Sequence, residues 1–204
     1  MINIAEYYLP DSQLLEKKTN QYLIWTPDKT YIVLGASNNS NDSLNIENVI
    51  QDNVTVLKRP SGGQTVVLTP NNIMISAVFV DSKTVHPKEV FQHVNQLIIS
   101  SIEKMGIHNL AMMGISDVAI SGRKILGSAI YRNKNALLYH AVLNIGEPAA
   151  TFERYLKHPI KEPDYREGRS HSEFVTSLKE KGYTNSAHHI ENMLSLSFEN
   201  LFNL

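Results

Sequence analysis

Val118-Ala119-Ile120-Ser121-Gly122-Arg123-Lys124-Ile125-Leu126-Gly127-Ser128-Ala129-Ile130-Tyr131 is a pair of β-type runs divided by a glycine-bearing break. With Ala136 to Leu143 it makes a second β block, matching an earlier one at Val54–Val80 in which β-branched residues are interrupted by Ser61-Gly62-Gly63. Between the blocks, Pro87 suits a first helical position. Val90, Phe91, Val94, Leu97, Ile98, Ile102 and Met105 then mark one face at 3.6-residue spacing up to Gly106. Two shorter strands are expected at Tyr22–Trp25 and Tyr31–Leu34, and a first helix capped by Asp11 or Ser12. After Pro148 the pattern turns helical, with helices expected at Ala150–Leu156, Ser170–Leu178 and Ser186–Phe202. Antiparallel strands followed by helices predict an α+β fold, a mainly antiparallel mixed sheet covered by helices, and not the alternating units of a doubly wound nucleotide fold.

Composition narrows the function classes. The chain has 204 residues, 42% of them hydrophobic, and 19 basic against 20 acidic side chains give a net charge of −1. A nucleic-acid binder held by phosphate contacts shows a basic excess, so that class is disfavoured. No basic leader precedes an apolar stretch at Met1–Glu6, and the longest apolar run, Ile73 to Val80, is too short to span a bilayer. A cytoplasmic protein without a membrane partner is expected. With no cysteine at all, disulfides, thiolate metal sites and cysteine nucleophiles are excluded. His188-His189 lies on an amphipathic helix without a third ligand nearby, and no metal site is expected. Ser121 to Lys124 matches a bare S-x-x-K, but it sits between β runs and its partner motifs are absent, which removes the penicillin-recognising enzymes.

The chemistry-bearing segments are Lys58-Arg59-Pro60-Ser61-Gly62-Gly63, Ser116-Asp117-Val118 through the lysine run to Ala129, and Leu137-Leu138-Tyr139-His140. Ser-Gly-Gly leaves backbone N–H groups uncovered for an anion, and Arg59 beside it supplies a charged fork. Lys124 can set an ammonium beside the same anion, while Gly127, Ser128 and Ala129 are small enough for a ligand to lie against the backbone. Singly, each residue has a plainer role: a hairpin turn at Ser61–Gly63, a solvated edge lysine, a turn-capping Asp117, a hydrogen-bonded core histidine at 140. Their order and spacing carry the weight.

Together these segments resemble the biotin/lipoate protein ligase family, and within it the lipoate–protein ligase A type, over roughly residues 20 to 180. The resemblance implies a catalytic domain at 1–180 with a C-terminal helix, 181–204, packed on it. It implies an enzyme that activates lipoate or octanoate with ATP and Mg²⁺ as an acyl-AMP, then transfers the acyl group to a lysine of a lipoyl-domain acceptor. Such acceptors are the E2 subunits of 2-oxoacid dehydrogenases and the glycine-cleavage H protein. By the same resemblance Lys124 holds the acyl carboxylate and α-phosphate, and Asp117 positions the nucleotide or the acceptor amine. Arg59, Ser61, Gly62, Gly63, Asn72, Gly127, Ser128, Ala129 and His140 bind acyl group or nucleotide, and the strands Val66–Leu68 and Ile73–Phe79 wall the aliphatic tail. Arg166, Arg169 and His171 lie in a further segment found in some members, and a basic loop anchoring the last helices explains them equally well.

Departures from the family pattern fall at Gln64, where a third glycine is usual, at Leu68-Thr69 in place of a His-Asp pair, at Asn71-Asn72, and at Tyr139 and Ala141 around the histidine. Each is expected to narrow the pocket or remove a polar group from it. They leave an alternative: a catalytically weak member that binds the acyl ligand or acceptor, or a transferase using pre-formed lipoyl-AMP. The transferases of this fold that form a cysteine thioester are excluded, since the chain has no cysteine. Larger lipoate ligases carry a small accessory domain where only one further helix is expected here after residue 180, which points either to a separate partner chain or to use of a pre-formed acyl-adenylate.

Overall fold

A computed structural model of the chain describes residues 2–80 and 86–202. The expected C-terminal segment to 204 is therefore seen as far as Phe202. In chain order the strands are β1 (Ile4–Glu6), β2 (Gln21–Trp25), β3 (Tyr31–Leu34), β4 (Thr55–Lys58), β5 (Val66–Leu68), β6 (Asn72–Val80), β7 (Leu110–Met113), β8 (Asp117–Ile120), β9 (Arg123–Arg132) and β10 (Ala136–Asn144). The helices are α1 (Ser40–Ser43), α2 (Ile46–Gln51), α3 (Pro87–Glu103), α4 (Ala149–Tyr155), α5 (His171–Phe174) and α6 (Ala187–Phe202).

The strands form two sheets rather than one. Six of them run in the order β2-β6-β10-β9-β8-β7, antiparallel throughout. The other four run β1-β4-β3-β5, with β1–β4 and β3–β4 parallel and β3–β5 antiparallel. Because β4 and β5 flank β3, Ser61–Gly63 does not close a hairpin between neighbours. It carries the chain across the end of β3.

Alternation along β6 and β10 assigns the two faces of the large sheet. Ile73, Ile75 and Ala77, with Tyr139, Ala141 and Leu143, pack against Val94, Ile98 and Ile102 of α3 and Ile190, Leu194 and Phe198 of α6. Tyr139 is fully buried there, its hydroxyl donating to Asn95 Oδ1 at 2.6 Å. The opposite face carries Met74, Ser76, His140, Val142 and Asn144 toward the small sheet, where Met74 and Val142 join Val33, Leu57 and Leu68. Among the described residues no helix is long and apolar enough to cross a membrane.

Three local expectations are corrected. The segment Pro10–Glu16 is a 3-10 turn that does not begin with an Asp11 cap, because Asp11 is fully buried and used elsewhere. The polar stretch at 38–43 ends in one helical turn capped by Asn39, and α2 follows where no helix was expected. The helix expected over Ser170–Leu178 is only α5. Its start is the capping box of Ser170 and Glu173, and its end comes where Arg123 Nη2 takes the carbonyls of Ser172 and Val175 and Thr176 N–H donates to Lys124 O. The chain there runs beside β9 instead of coiling.

Phe198 is fully buried between α6, α3 and β2, with its ring 5.5 Å from that of Tyr22. Phe198→Ala is expected to cost about 3–5 kcal/mol of stability in urea unfolding; a loss below about 1 kcal/mol would contradict this packing.

Candidate functional site

The β8–β9 hairpin turns at Ser121-Gly122, both with positive φ (49° and 75°), which a two-residue hairpin turn demands. Just beyond it the register slips: Ala119 pairs with Lys124, but Val118 pairs with Leu126, leaving Ile125 as the extra residue of a β-bulge. Three positions apart, Lys124 and Gly127 would face opposite sides of a regular strand. The bulge brings them to one side. Asp117, opposite Gly127 on β8, joins them, and Lys124 Nζ lies 2.8 Å from Asp117 Oδ1. The lysine side chain is laid over Gly127, where a Cβ would stand 2.7 Å from both Cε and Nζ. Only glycine permits that course.

Asp117 is held from its other oxygen by the Tyr165 hydroxyl, which donates to Oδ2 at 2.8 Å. Burial and the Asp117 charge push the Tyr165 phenol well above its usual range, so it stays a donor at all ordinary pH. Ser128 donates through its side chain to Ser116 O at 2.6 Å, which ties β9 to the turn before β8.

A second buried chain of polar groups joins the two sheets. Arg59 Nε donates to Ser61 Oγ (2.9 Å), Ser61 Oγ meets His140 Nε2 (2.7 Å), and His140 Nδ1 lies 3.5 Å from Asp11 Oδ2. Since Ser61 accepts from Arg59, its hydroxyl proton is free for Nε2, and Nδ1 then carries the ring proton toward Asp11. Asp11 also accepts from Tyr7 (2.7 Å) and Ser76 (3.1 Å). Burial pulls the Arg59 guanidinium down to about 10, which leaves it charged at neutral pH. Arg59 revises its sequence reading as a free fork: its remaining bonds go to the carbonyls of Val33, Gly62 and Gln64, so it shapes the loop around itself. Gly63, with φ +89°, stands over Ala129, and its carbonyl crowds Gly35, where a Cβ would come within 2.1 Å.

Nine of the eleven residues singled out from sequence line one cleft of about 1060 Å³ between the sheets: Lys124, Asp117, Gly127, Ser128, Ala129, His140, Arg59, Gly63 and Asn72. Ser61 is buried beneath it, and Gly62 faces open space. Asn72 is fully buried, accepting from Thr69 N–H (2.8 Å) and reaching toward Asn144 Oδ1 (3.4 Å). Thr69 and Asn71 donate to the buried carboxylate of Glu147, which also accepts from Thr151. The unusual residues 69–72 thus form a closed polar corner. Val66, Val67, Leu68 and Met74 line the cleft, whereas Ile73, Ile75 and Phe79 pack toward α3 and α6, so only alternate residues of β6 can wall a tail. Tyr139 is on that far side too and takes nothing from the cleft.

Several residues were missed from sequence. Tyr7 and Asp11 act from the N-terminal segment, far from every motif, and Gly35 matters only through Gly63. Tyr165, beside Arg166 in the segment before the last helices, carries no motif of its own and acts through its hydroxyl on Asp117. Gln64 bonds Lys161 O at 2.8 Å, joining the glycine loop to the segment 157–168 that borders the cleft.

Residues 4–199 match the lipoyl protein ligase A/B catalytic domain family. Lipoate-protein ligase LplJ of Bacillus subtilis is 22% identical over 161 residues, covering 79% of this chain and 46% of that protein. A relative from Plasmodium falciparum named inactive lipoate–protein ligase 2 is 22% identical, covering 82% of this chain and 52% of its own. The chain spans about half the length of the curated relatives it matches. Among solved structures, a bipartite lipoate protein ligase from Thermoplasma acidophilum superposes with a TM-score of 0.80 at 16% identity, over 93% of this chain and 75% of that one. A lipoate-protein ligase A bound with ATP gives 0.75 at 17% identity, over 89% and 72%. These likenesses show the fold.

Burial raises the Tyr7 phenol far above its usual range, with Asp11 reinforcing the shift. Above about pH 10 the unfolded chain therefore sheds this proton while the native chain keeps it, and stability falls as pH rises. Tyr7→Phe is expected to reduce that alkaline slope, by an amount that approaches about 1.4 kcal/mol per pH unit above pH 10, in urea titrations from pH 9.5 to 11. An unchanged slope would place Tyr7 in water.

Proposed function

The chain belongs to the lipoyl protein ligase A/B catalytic domain family, and from that premise we propose that it attaches lipoate, or a similar medium-chain acid, to a lysine of a lipoyl-domain acceptor by way of an acyl-adenylate. The carrying observation is Lys124 lying over Gly127 beside Asp117 in a cleft with one apolar wall.

In this reading the substrate is the Mg²⁺ complex of ATP. A carboxylate oxygen of the acid attacks the α-phosphorus, and pyrophosphate leaves with the electron pair of the broken bridging bond. The acceptor ε-amine, in its uncharged form, then attacks the acyl carbonyl, the carbonyl–oxygen bond breaks with its electron pair passing to AMP, and the new amide nitrogen sheds one proton to solvent. Charge grows on the phosphoryl oxygens in the first step and on the carbonyl oxygen in the second. The Lys124 ammonium answers both, since its backbone is fixed on a bulged strand and only the end of the side chain has to turn from Asp117. Asp117 holds it in waiting, and with the ammonium turned to phosphate the carboxylate is free to orient the incoming amine. Val66, Leu68 and Met74 wall the tail. His140, fixed by Ser61 and Asp11, lines the cleft with them behind it. The ATP-bound and E2-associated structural neighbours favour nucleotide use and a lipoyl-domain acceptor; acceptors of the 2-oxoacid dehydrogenase and glycine-cleavage kinds are part of the proposal. An accessory chain acting in adenylation, and a cytoplasmic setting, belong to the same proposal, and pyrophosphate release is therefore measured with a lipoate-ligase accessory domain added.

A second reading has one observation of its own. Gln64 replaces the family's third glycine and pins the loop to Lys161 O, which suits a chain that binds acyl ligand or pre-formed lipoyl-AMP without adenylating. Lipoate-dependent pyrophosphate release separates the two.

Lys124→Ala is expected to lower that release by a factor of at least about 10², the usual loss when one preorganised charge is removed from a developing anion, with the thermal midpoint little changed because the side chain is part-exposed. Release at the unsubstituted rate would overturn the assignment.

A further inference from the structure

Arg166 closes the 3-10 turn Asp164–Arg166, after which Glu167 (φ 52°) and Gly168 (φ 72°) reverse the chain. Its side chain is buried, with 4% of the residue exposed, yet it lines the cleft. The fork is fixed in place. Nε donates to Arg169 O at 2.9 Å and lies 3.3 Å from Glu162 Oε2, and the guanidinium carbon stands 4.8 Å from the centre of the Phe174 ring. Arg169 stacks on the same ring at 5.3 Å, but its own donors go to Tyr165 O, Arg166 O and Gly122 O. Glu162 is shared among His158, Gly168 N–H and Arg166.

One buried nitrogen of the fork is left over. Arg166 Nη2 is buried and has no hydrogen-bond partner. A buried guanidinium nitrogen with no acceptor is costly, and a folded chain keeps one chiefly where something else supplies the oxygen. Its surroundings say what. Lys157, Lys161 and His171 line the same cleft, as do Glu162 and Asp164. The preceding residue, Tyr165, is on Asp117 and so one hydrogen bond from the Lys124 pair. A rigid fork with vacant N–H groups, in a cleft shared with two further lysines and the reacting one, suits an oxyanion with several oxygens.

We infer that Arg166 binds the β- and γ-phosphoryl groups of the nucleotide, the portion that leaves as inorganic pyrophosphate. This rests on the adenylating function proposed above. When the α-phosphorus bond to the bridging oxygen breaks, the electron pair passes to pyrophosphate, and the vacant Arg166 donor meets the added charge there. Lys124 serves the α-phosphate and the acyl carboxylate, and Arg166 serves what departs. The acyl-adenylate has no β- or γ-phosphate, so transfer of the acyl group to the acceptor does not use Arg166.

The test uses the full chain with Arg166→Met, which keeps an apolar stem against Phe174, and Arg166→Lys, which keeps a charge without the fork. Binding of inorganic pyrophosphate, ATP and AMP is measured by calorimetry. Lipoate-dependent pyrophosphate release and transfer from synthetic lipoyl-AMP to a lipoyl domain are followed separately. In R166M, binding of pyrophosphate and ATP should weaken tenfold or more and pyrophosphate release should fall with it, while AMP binding and transfer from lipoyl-AMP stay within twofold. R166K should lie between, and it carries the test alone if R166M does not fold. Unchanged pyrophosphate binding, or an equal loss in transfer from lipoyl-AMP, would overturn the inference. Should the unsubstituted chain bind pyrophosphate through Arg166 but never adenylate, the inference stands as a polyphosphate site and the proposed function falls.

Discussion

A lysine side chain stretched across a glycine, with its ammonium 2.8 Å from a carboxylate on the neighbouring strand, is the contact around which the cleft is arranged. It needs three things at once. The positive-φ turn at Ser121-Gly122 must reverse the chain, the bulge at Ile125 must restore Lys124 to the side of Gly127, and residue 127 must have no Cβ. The segment after α5 then locks β9 from outside, through Thr176 N–H on Lys124 O and Arg123 on the carbonyls of Ser172 and Val175. Tyr165 reaches Asp117 from the same stretch of chain. The C-terminal third is thus a brace for the lysine as well as a cover for the sheet.

The two sheets meet through polar groups on one side of the cleft and apolar ones on the other. Arg59, Ser61, His140 and Asp11 form a buried sequence of hydrogen bonds in which each member orders the next. Such a network is stable only when nearly every donor and acceptor is satisfied, and here Val33, Gly62, Gln64, Tyr7 and Ser76 complete it. The glycine loop owes its shape to this network, and the ligand-facing surface of the loop is what remains.

What the sequence made legible was the part governed by local rules. The α3 helix, the strand pairs and the lysine-bearing hairpin follow from periodicity, β-branching and glycine placement, and three motifs in order pointed to the cleft that nine of the chosen residues line. What escaped depended on partners far away in the chain. Arg59 reads as a free charge until the carbonyls of Val33 and Gln64 are seen around it. Tyr139 reads as a pocket residue until alternation along β10 sends it to Asn95 on α3. The stretch after Phe174 keeps a helical pattern but gives its hydrogen bonds to Lys124 of β9, Asn144 of β10 and Ile145. Asp11 and Gly35 carry no local signal of their function, since each matters through one distant contact.

The central claim is that a side-chain path open only over glycine positions the reacting ammonium. Gly127→Ala tests it most directly, because it changes no charge and no hydrogen-bonding group. The unsubstituted chain, supplied with Mg-ATP and lipoate, is predicted to release pyrophosphate. G127A is predicted to fold with an unchanged circular dichroism spectrum, yet release pyrophosphate at least about tenfold more slowly, as misplacement of a catalytic group by an ångström entails. Equal rates for the two proteins would contradict the account.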